Sequence, residues 1–440
     1  MKKVGVISLG CDKNRVDTEK MLSLLSEKHK ITNDIVDADI LIINTCAFLE
    51  SARKEAIEEI LSAIELKNSG VIEKIVVTGC LPQKFIEELF DELLEVDAFL
   101  GISDYEKILQ AIDEIYLNKR VNFVSSPKNE DLKNRFLTTK GYSYLKISDG
   151  CSNHCTYCLI PSIRGKYRSI LPDKLIEEAR SLGEVYELIL VAQDVTKYGV
   201  DLENVNLVYL IKELSKLENI GAIRLLYCYP ETITDELIEE IKTNDKVIKY
   251  IDIPMQHADD KVLKLMGRKG TFDSYISLIN KLKKEIPNIA IRSTFITGFS
   301  GETEESFDNL CDFLRKARLF NVGFFKYSRE EGTPSYKLPN RVPEREKNRR
   351  LKVLYGVQEE ISNEILSNYL NKTIEVRVEG YDDYKEMYFG RAYFNAPNID
   401  GQVFFMTDKE VCFGEKVFVK INGYEKYDLY GEIKWIYQTN

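Results

Sequence analysis

The sequence predicts an α/β protein in three parts: an amino-terminal open parallel α/β domain, a central partial (β/α)6 barrel, and a small antiparallel β barrel at the carboxyl end. Three observations carry this. Short apolar runs alternate with amphipathic stretches as far as residue 117, the alternation resumes at residue 142, and from Lys372 it gives way to apolar–polar alternation broken by Gly, Asp and Asn. Strands separated by helices imply a parallel sheet with crossover connections, whereas closely spaced alternating runs imply antiparallel pairing. The length of 440 residues fits about three domains.

In the first part, residues 4–10 (VGVISLG), 39–46 (DILIINTC), 74–80 (KIVVTGC) and 98–101 (AFLG) read as buried strands. Residues 18–29, 51–66, 83–94 and 105–117 read as the helices between and after them, giving a domain over 1–124. Residues 125–135 (SSPKNEDLKNR) are polar and read as a linker. Over 137–368, strands are expected at 142–148, 187–193, 222–229, 249–254, 289–297 and 321–327. Six β/α units fit an incomplete barrel better than an open three-layer sheet, although spacing alone does not choose between them. A helix over 343–368 closes this part, and its charged string at 344–352 reads as a solvated face. The last domain, 371–440, holds the runs TIEVRVEGY, MYFGRAYF, GQVFFMT, KVFVKING and YGEIKWIYQ.

Hydrophobic residues make up 44% and charged residues 30%, so the chain is globular, not disordered. No apolar run reaches the roughly 18 residues that span a bilayer. The opening MKKVGVISLG has no small-residue cleavage site and reads as a first strand, so a cytoplasmic protein with no membrane partner is expected. The formal charge of −10 argues against attraction of nucleic acid to the whole surface and leaves a local basic patch open. Nine cysteines in a reducing compartment point to metal ligation or catalysis before disulfides.

The strongest signal is CSNHCTYC, with Cys151, Cys155 and Cys158 directly after the strand-like GYSYLKISDG. Three thiolates in an eight-residue loop can converge on one soft metal site. Structural zinc wants four ligands, and neither a fourth Cys nor a spaced His completes the set; His154, between two of the cysteines, more often points away. A 4Fe-4S cluster with one open iron suits the loop better, the bland alternative being three buried thiols. The second constellation is dispersed: Cys11, Cys46 and Cys80 each follow a predicted strand (ISLGC, IINTC, VVTGC). In a parallel sheet those ends emerge along one edge, where such sheets bind ligands. One cysteine there is usually a small hydrophobe, but three at equivalent positions favour a second open-iron cluster. Gly10 and Gly79 would allow its close approach. Cys311 and Cys412 read as packing, as does Cys228, though it ends a barrel strand.

The C-x3-C-x2-C spacing, with Tyr157 before the last cysteine, resembles the radical S-adenosylmethionine (SAM) superfamily. The resemblance implies that the open iron chelates SAM, and that cluster reduction cleaves SAM to a 5′-deoxyadenosyl radical; such chemistry on an unactivated C–H bond belongs to a cofactor. Two three-cysteine sites followed by a β module resemble the methylthiotransferases, whose terminal module is the TRAM domain. LGCDKNRVDTE, INTCAFLESARKEA, VTGCLPQ, IDIPMQHADDKVLKLMGR and RSTFITGFSGETEESF carry that likeness along essentially the whole chain. GCDKNRVDTE is similar to the GCPKNxVDSE pattern of the branch that modifies an aspartate of small-subunit ribosomal protein twelve, with Asp12 replacing proline and Thr18 replacing serine. GRAYFNAPNIDG also resembles that branch, whereas Ser300 departs from the usual proline of GFPGE.

The resemblance implies two 4Fe-4S clusters, on Cys151, Cys155 and Cys158 and on Cys11, Cys46 and Cys80, with two SAM molecules consumed per turnover. One SAM gives a methyl group; the other gives the radical that opens the aspartate β-carbon to the methylthio sulfur. Candidate SAM-binding positions are Tyr157 in the loop, Gln193 and Asp194 after the second barrel strand, and Gln256 and His257 after the fourth. Arg292 would meet the SAM carboxylate or a structural acid such as Asp252, Gly298 and Gly301 would approach the adenine, and His257 would serve equally as a core residue. Expected partners are the ribosomal protein, free or in its subunit, and a reductant such as flavodoxin or ferredoxin. Residues 371–440 hold 9 basic and 12 acidic residues, which suits a basic protein better than RNA phosphates, although RNA contact stays open. The rivals are the same chemistry on tRNA adenosine, a non-catalytic iron–sulfur electron carrier, and a zinc-stabilised scaffold.

Overall fold

The structure, a computed structural model, describes residues 1–129 and 134–434. The chain divides into two units, one of Met1–Gly221 with Ser328–Tyr336 and the other of Ala222–Tyr327 with Lys337–Asn440.

The first unit begins with six strands: β1 (Lys3–Ser8), β2 (Lys30–Thr32), β3 (Ile40–Thr45), β4 (Lys74–Gly79), β5 (Ala98–Leu100) and β6 (Val121–Phe123). They form one all-parallel sheet in the order β2-β1-β3-β4-β5-β6. Four helices cross between strands: α1 (Asp12–Ser26), α2 (Glu50–Asn68), α3 (Cys80–Glu92) and α4 (Ile108–Tyr116). Both sheet faces are covered, which is why ILII of β3 is apolar at every position. Leu41 and Ile43 pack with Ala56 and Ile60 of α2 and Leu81 of α3. Ile40 and Ile42 pack with Met21 and Leu25 of α1 and with Ile112 of α4 on the other face.

Three differences from expectation have physical causes. The edge strands β2 and β6 are three residues each, too short for alternation to show. Helix α1 starts at Asp12, six residues before the predicted boundary, because its inward face is polar: Lys13, Asn14, Asp17, Thr18, Glu19 and Lys20 are all buried. The segment read as a linker is pinned where it is described. Ser125 donates to Asp104, Lys128 exchanges hydrogen bonds with Ser103, and Arg135 is an ion-pair partner of Glu19 and Glu178 with its side chain wholly buried. Residues 130–133 of that segment lie outside the described residues.

Further along the first unit, β7 (Tyr142–Lys146) pairs in parallel with β10 (Glu187–Val191). A two-residue antiparallel ladder between β8 (Ser148–Asp149) and β9 (Arg168–Ser169) flanks a short helix, α5 (Ile160–Arg164). The second unit opens with the four parallel strands β11 (Ile223–Leu225), β12 (Val247–Asp252), β13 (Ala290–Thr297) and β14 (Asn321–Lys326), paired in that order. These strands and β7 and β10 are the six of the expected β/α run.

The helix Glu344–Ser367 matches its predicted span. Its charged string is only partly a solvated face, since Arg350 is buried and paired with Glu302, Glu304 and Glu346. The chain ends in a closed barrel of β15 (Thr373–Asp382), β16 (Met387–Arg391), β17 (Val403–Met406), β18 (Lys416–Glu425) and β19 (Asp428–Ile433), in the order β15-β16-β17-β19-β18. Four of its ladders are antiparallel, and β17 with β19 is parallel. The end of the YGEIKWIYQ run, from residue 435, lies outside the described residues.

Candidate active site

The sheet order makes β1, β3 and β4 consecutive, and the register sets Ser8 beside Asn44 and Thr45 beside Gly79. Cys46 and Cys80 therefore leave adjacent strands at the same level. Cys11 is the N-cap of α1, and Cys80 is the first residue of α3. Both sit at the amino-terminal ends of helices, where the helix dipole is positive.

Two glycines make the close packing possible. Gly10 has φ +95°, and a Cβ there would lie 2.8 Å from Cys46 Cβ. Gly79 has φ +101°, and a Cβ there would lie 2.4 Å from Asn44 Oδ1 and 2.5 Å from the Thr45 carbonyl. Gly79→Ala is expected to displace Cys80 and, should this trio hold a cluster, to lower the total iron of the chain. Iron analysis after anaerobic reconstitution checks it.

Asn14 ties the trio together, a role the sequence does not announce. Its Nδ2 donates to the carbonyls of Leu9 and Thr45, each at 3.0 Å, and its Oδ1 lies 3.9 Å from both Cys11 Sγ and Cys80 Sγ. Burial pushes the Cys80 thiol up to about 12, against the Arg164 guanidinium, and burial raises Cys46 also. Such thiols stay protonated unless a cation takes the proton's place, which is what cluster or metal ligation does.

The second trio lies in the turn between β8 and α5. Gly150, at φ +76°, lets the chain pass the Lys166 carbonyl, and Cys151 N–H donates to the Gly165 carbonyl at 3.1 Å. Backbone N–H groups of Asn153 and Ile160 donate to Cys151 Sγ and Cys158 Sγ, each at 3.4 Å, and these bonds favour the thiolate form. Burial nevertheless raises Cys151 and pushes Cys158 up to about 12. Leu159 and Ile163, after Cys158, pack in the same core as Leu81, after Cys80. The two trios thus share one unit and one core. Among the described residues, no three His, Cys, Asp or Glu side chains close to the spacing of ligands on a single metal ion. Thiolates on separate irons of a four-iron cube stand further apart than that.

A buried ion network runs between the trios. Arg164 Nη1 lies 3.1 and 3.0 Å from the two oxygens of Asp149, and its Nη2 reaches Asn14 Oδ1 at 2.8 Å, Asp17 Oδ2 at 3.4 Å and Cys80 Sγ at 3.5 Å. Lys146 pairs with Asp17 and lies 3.6 Å from Asp149. Arg164 and Lys146 hold the Asp149 carboxyl well below the ordinary carboxylate range despite its burial. Hydrophobic patterning cannot show these four residues, since charged residues read as surface.

The predicted SAM-binding positions fare unevenly. Asp194 is buried, accepting from Asn153 Nδ2 at 3.0 Å and Thr196 Oγ1 at 2.7 Å, and burial raises its carboxyl. Gln193, next to it, has both amide atoms buried without a hydrogen-bond partner, a state that a bound polar ligand would relieve. Tyr157 is half-buried in the cysteine loop, and Gln256 has φ +73° just past β12.

Arg292 takes the structural-acid alternative: its guanidinium pairs with Asp252 at 2.9 Å and Asp400 at 3.3 Å, joining β13 to the residues before β17. The loop at Gly298 and Gly301 is closed on itself, because the Glu302 carboxylate accepts from the N–H groups of Gly298 and Phe299 and from Thr297. His257 is wholly buried, its Nδ1 accepts from Asp259 N–H at 3.0 Å, and burial lowers its pKa. A folded-state pKa below the unfolded value of about 6.5 means that the unfolded chain protonates first. Stability should therefore hold above that value and fall as pH drops below it; His257→Gln should flatten this slope in denaturant titrations between about pH 7.5 and 5.5.

Known proteins resemble this chain along nearly its whole length. Family models match over residues 3–101 (uncharacterized protein family UPF0004), 145–314 (radical SAM superfamily) and 372–433 (TRAM domain). A ribosomal protein uS12 methylthiotransferase RimO from Clostridium botulinum (strain Eklund 17B / Type B) is 48% identical over 98% of both chains. The RimO of Caldanaerobacter subterraneus subsp. tengcongensis is 46% identical over 98% of this chain and 100% of its own. Among solved structures, the radical SAM methyltransferase TsrM from Kitasatospora setae superposes with a TM-score of 0.55 at 14% identity, over 76% of this chain and 77% of that one, a likeness of fold. No helix among the described residues is long and apolar enough to cross a membrane. The radical SAM family implies a 4Fe-4S cluster and SAM as cofactors. With relatives this similar along nearly the whole length, the chain belongs to the RimO family of radical SAM methylthiotransferases.

Proposed function

We propose that the chain adds a methylthio group to the β-carbon of an aspartate in ribosomal protein uS12, the small-subunit protein twelve of the sequence comparison. Two 4Fe-4S clusters serve it, one on Cys151, Cys155 and Cys158 and one on Cys11, Cys46 and Cys80, with two SAM molecules used per turnover. The observation that carries this is the placing of two open three-thiol sets in one packed unit, one at the ends of three adjacent strands and one in the loop before α5. The full-length likeness to RimO proteins supports the substrate.

When bound, the clusters and SAM supply the sulfur, the methyl group and the radical that removes hydrogen from the target carbon. The chain's own residues orient and shield. Gly10 and Gly79 let the strand ends pack closely enough to gather the trio, and Asn14 fixes the strand ends that carry it. The Gln193 amide and Asp194, after β10, offer polar atoms to SAM near the loop that bears Asn153. Cys80 and Cys151 are buried, which limits the access of water at those two thiols.

In this reading residues 1–124, 137–368 and 371–440 work as sulfur-carrying, radical-generating and substrate-gripping segments. The acidic balance of the last favours a basic protein, and its match to the TRAM family also suits contact with ribosomal RNA. A low-potential reductant such as flavodoxin or ferredoxin would supply electrons in the cytoplasm. Deleting the gene tests the substrate: mass spectrometry should show uS12 lighter by one methylthio group and tRNA unchanged. Unchanged uS12 with tRNA lacking its methylthio groups would overturn the reading in favour of tRNA adenosine.

A further inference from the structure

Arg164 lies six residues after Cys158 and is buried to 1% exposure. One of its terminal nitrogens holds Asp149, two residues before Cys151; the other donates to Asn14 Oδ1 and lies 3.5 Å from Cys80 Sγ. A single planar group therefore spans from the backbone that frames one cysteine trio to a thiol of the other. Lys146 and Arg164 are matched by Asp17 and Asp149, so the network carries no surplus charge. What Cys80 meets is a directed, charge-assisted N–H donor, held in place by the fork geometry that only arginine provides.

We propose that Arg164 is a positioning residue that raises the reduction potential of the cluster on Cys11, Cys46 and Cys80, and so sets its potential apart from that of the cluster on Cys151, Cys155 and Cys158. The inference rests on the ligand reading above. A hydrogen bond to a ligand sulfur stabilises the more negative, reduced state of an iron–sulfur cluster, and only Cys80 among the six receives one from a charged side chain in the described residues. The couple is one-electron: a low-potential donor loses one electron, the cluster gains it, and no bond forms or breaks.

The test is a potentiometric titration, followed by electron paramagnetic resonance, of the reconstituted full chain and of Arg164→Gln and Arg164→Lys. The titrant is dithionite, with mediator dyes. In Arg164→Gln the potential of the amino-terminal cluster should fall by at least tenfold in its reduction equilibrium, ~59 mV for one electron, while that of the Cys151 cluster holds. Arg164→Lys, which keeps the charge but not the fork, should shift the same cluster the same way by a smaller step. It decides the matter if the glutamine variant fails to fold. No shift, or an equal shift of both clusters, overturns the proposal. Failure of the underlying ligand reading shows separately: Cys80→Ser in otherwise native protein would then keep both cluster signals and its full iron content.

Discussion

Cys158→Ala is expected to abolish SAM cleavage while leaving the amino-terminal cluster in place. On the proposed two-cluster reading, the chain should fall from about eight iron atoms to about four. Cys158 receives the Ile160 N–H at 3.4 Å and is followed by Leu159 and Ile163, which pack in the core, so the variant removes the sulfur without moving α5. The mirror variant separates the two roles: Cys46→Ala should also bind about four irons but still cleave SAM, without transferring methylthio. Release of 5′-deoxyadenosine, set beside iron content, checks both.

Arg135→Ala is expected to be the most damaging change outside the cysteines. Its side chain is wholly buried between Glu19 and Glu178, and Lys20 is the other cation there, 3.2 Å from Glu178. Removing the arginine strands the Glu19 carboxylate, which also accepts from Thr138 Oγ1 at 2.6 Å, in a site closed to water. Breaking a buried pair by deleting one partner costs about 3–5 kcal/mol, far more than losing an exposed one. The denaturant midpoint should drop accordingly, with an unchanged slope. Arg135→Met, similar in volume, should not restore it, because the stranded charges remain.

The fold and the cysteines were legible in the sequence for the same reason. Buried parallel strands such as ILII and IVV write themselves as apolar runs, and Cys11, Cys46 and Cys80 each stand where such a run stops. The loop trio is legible from spacing alone. The short edge strands β2 and β6 were not, because three residues leave no period to detect. Nor was the inward face of α1, where Asn14, Asp17, Glu19 and Lys20 are buried against partners distant in sequence. Patterning assigns such residues to solvent, and only the tertiary fold reveals Arg164, Lys146, Glu178 and Arg135 as their counterparts. Arg292 illustrates the converse: the sequence offered it either to SAM or to a structural acid, and Asp252 and Asp400 claim it.

The proposed reaction is transfer of a methylthio group to uS12 by a chain carrying two cysteine-held clusters. Its most direct test is mass spectrometry of a peptide bearing the uS12 substrate loop, incubated anaerobically with the reconstituted protein, SAM, a sulfur source and a reductant. The aspartate should gain one methylthio group, and this gain should be lost in Cys46→Ala although that variant still cleaves SAM. A peptide of unchanged mass beside active SAM cleavage, both with the loop peptide and with the intact ribosomal subunit, would contradict it.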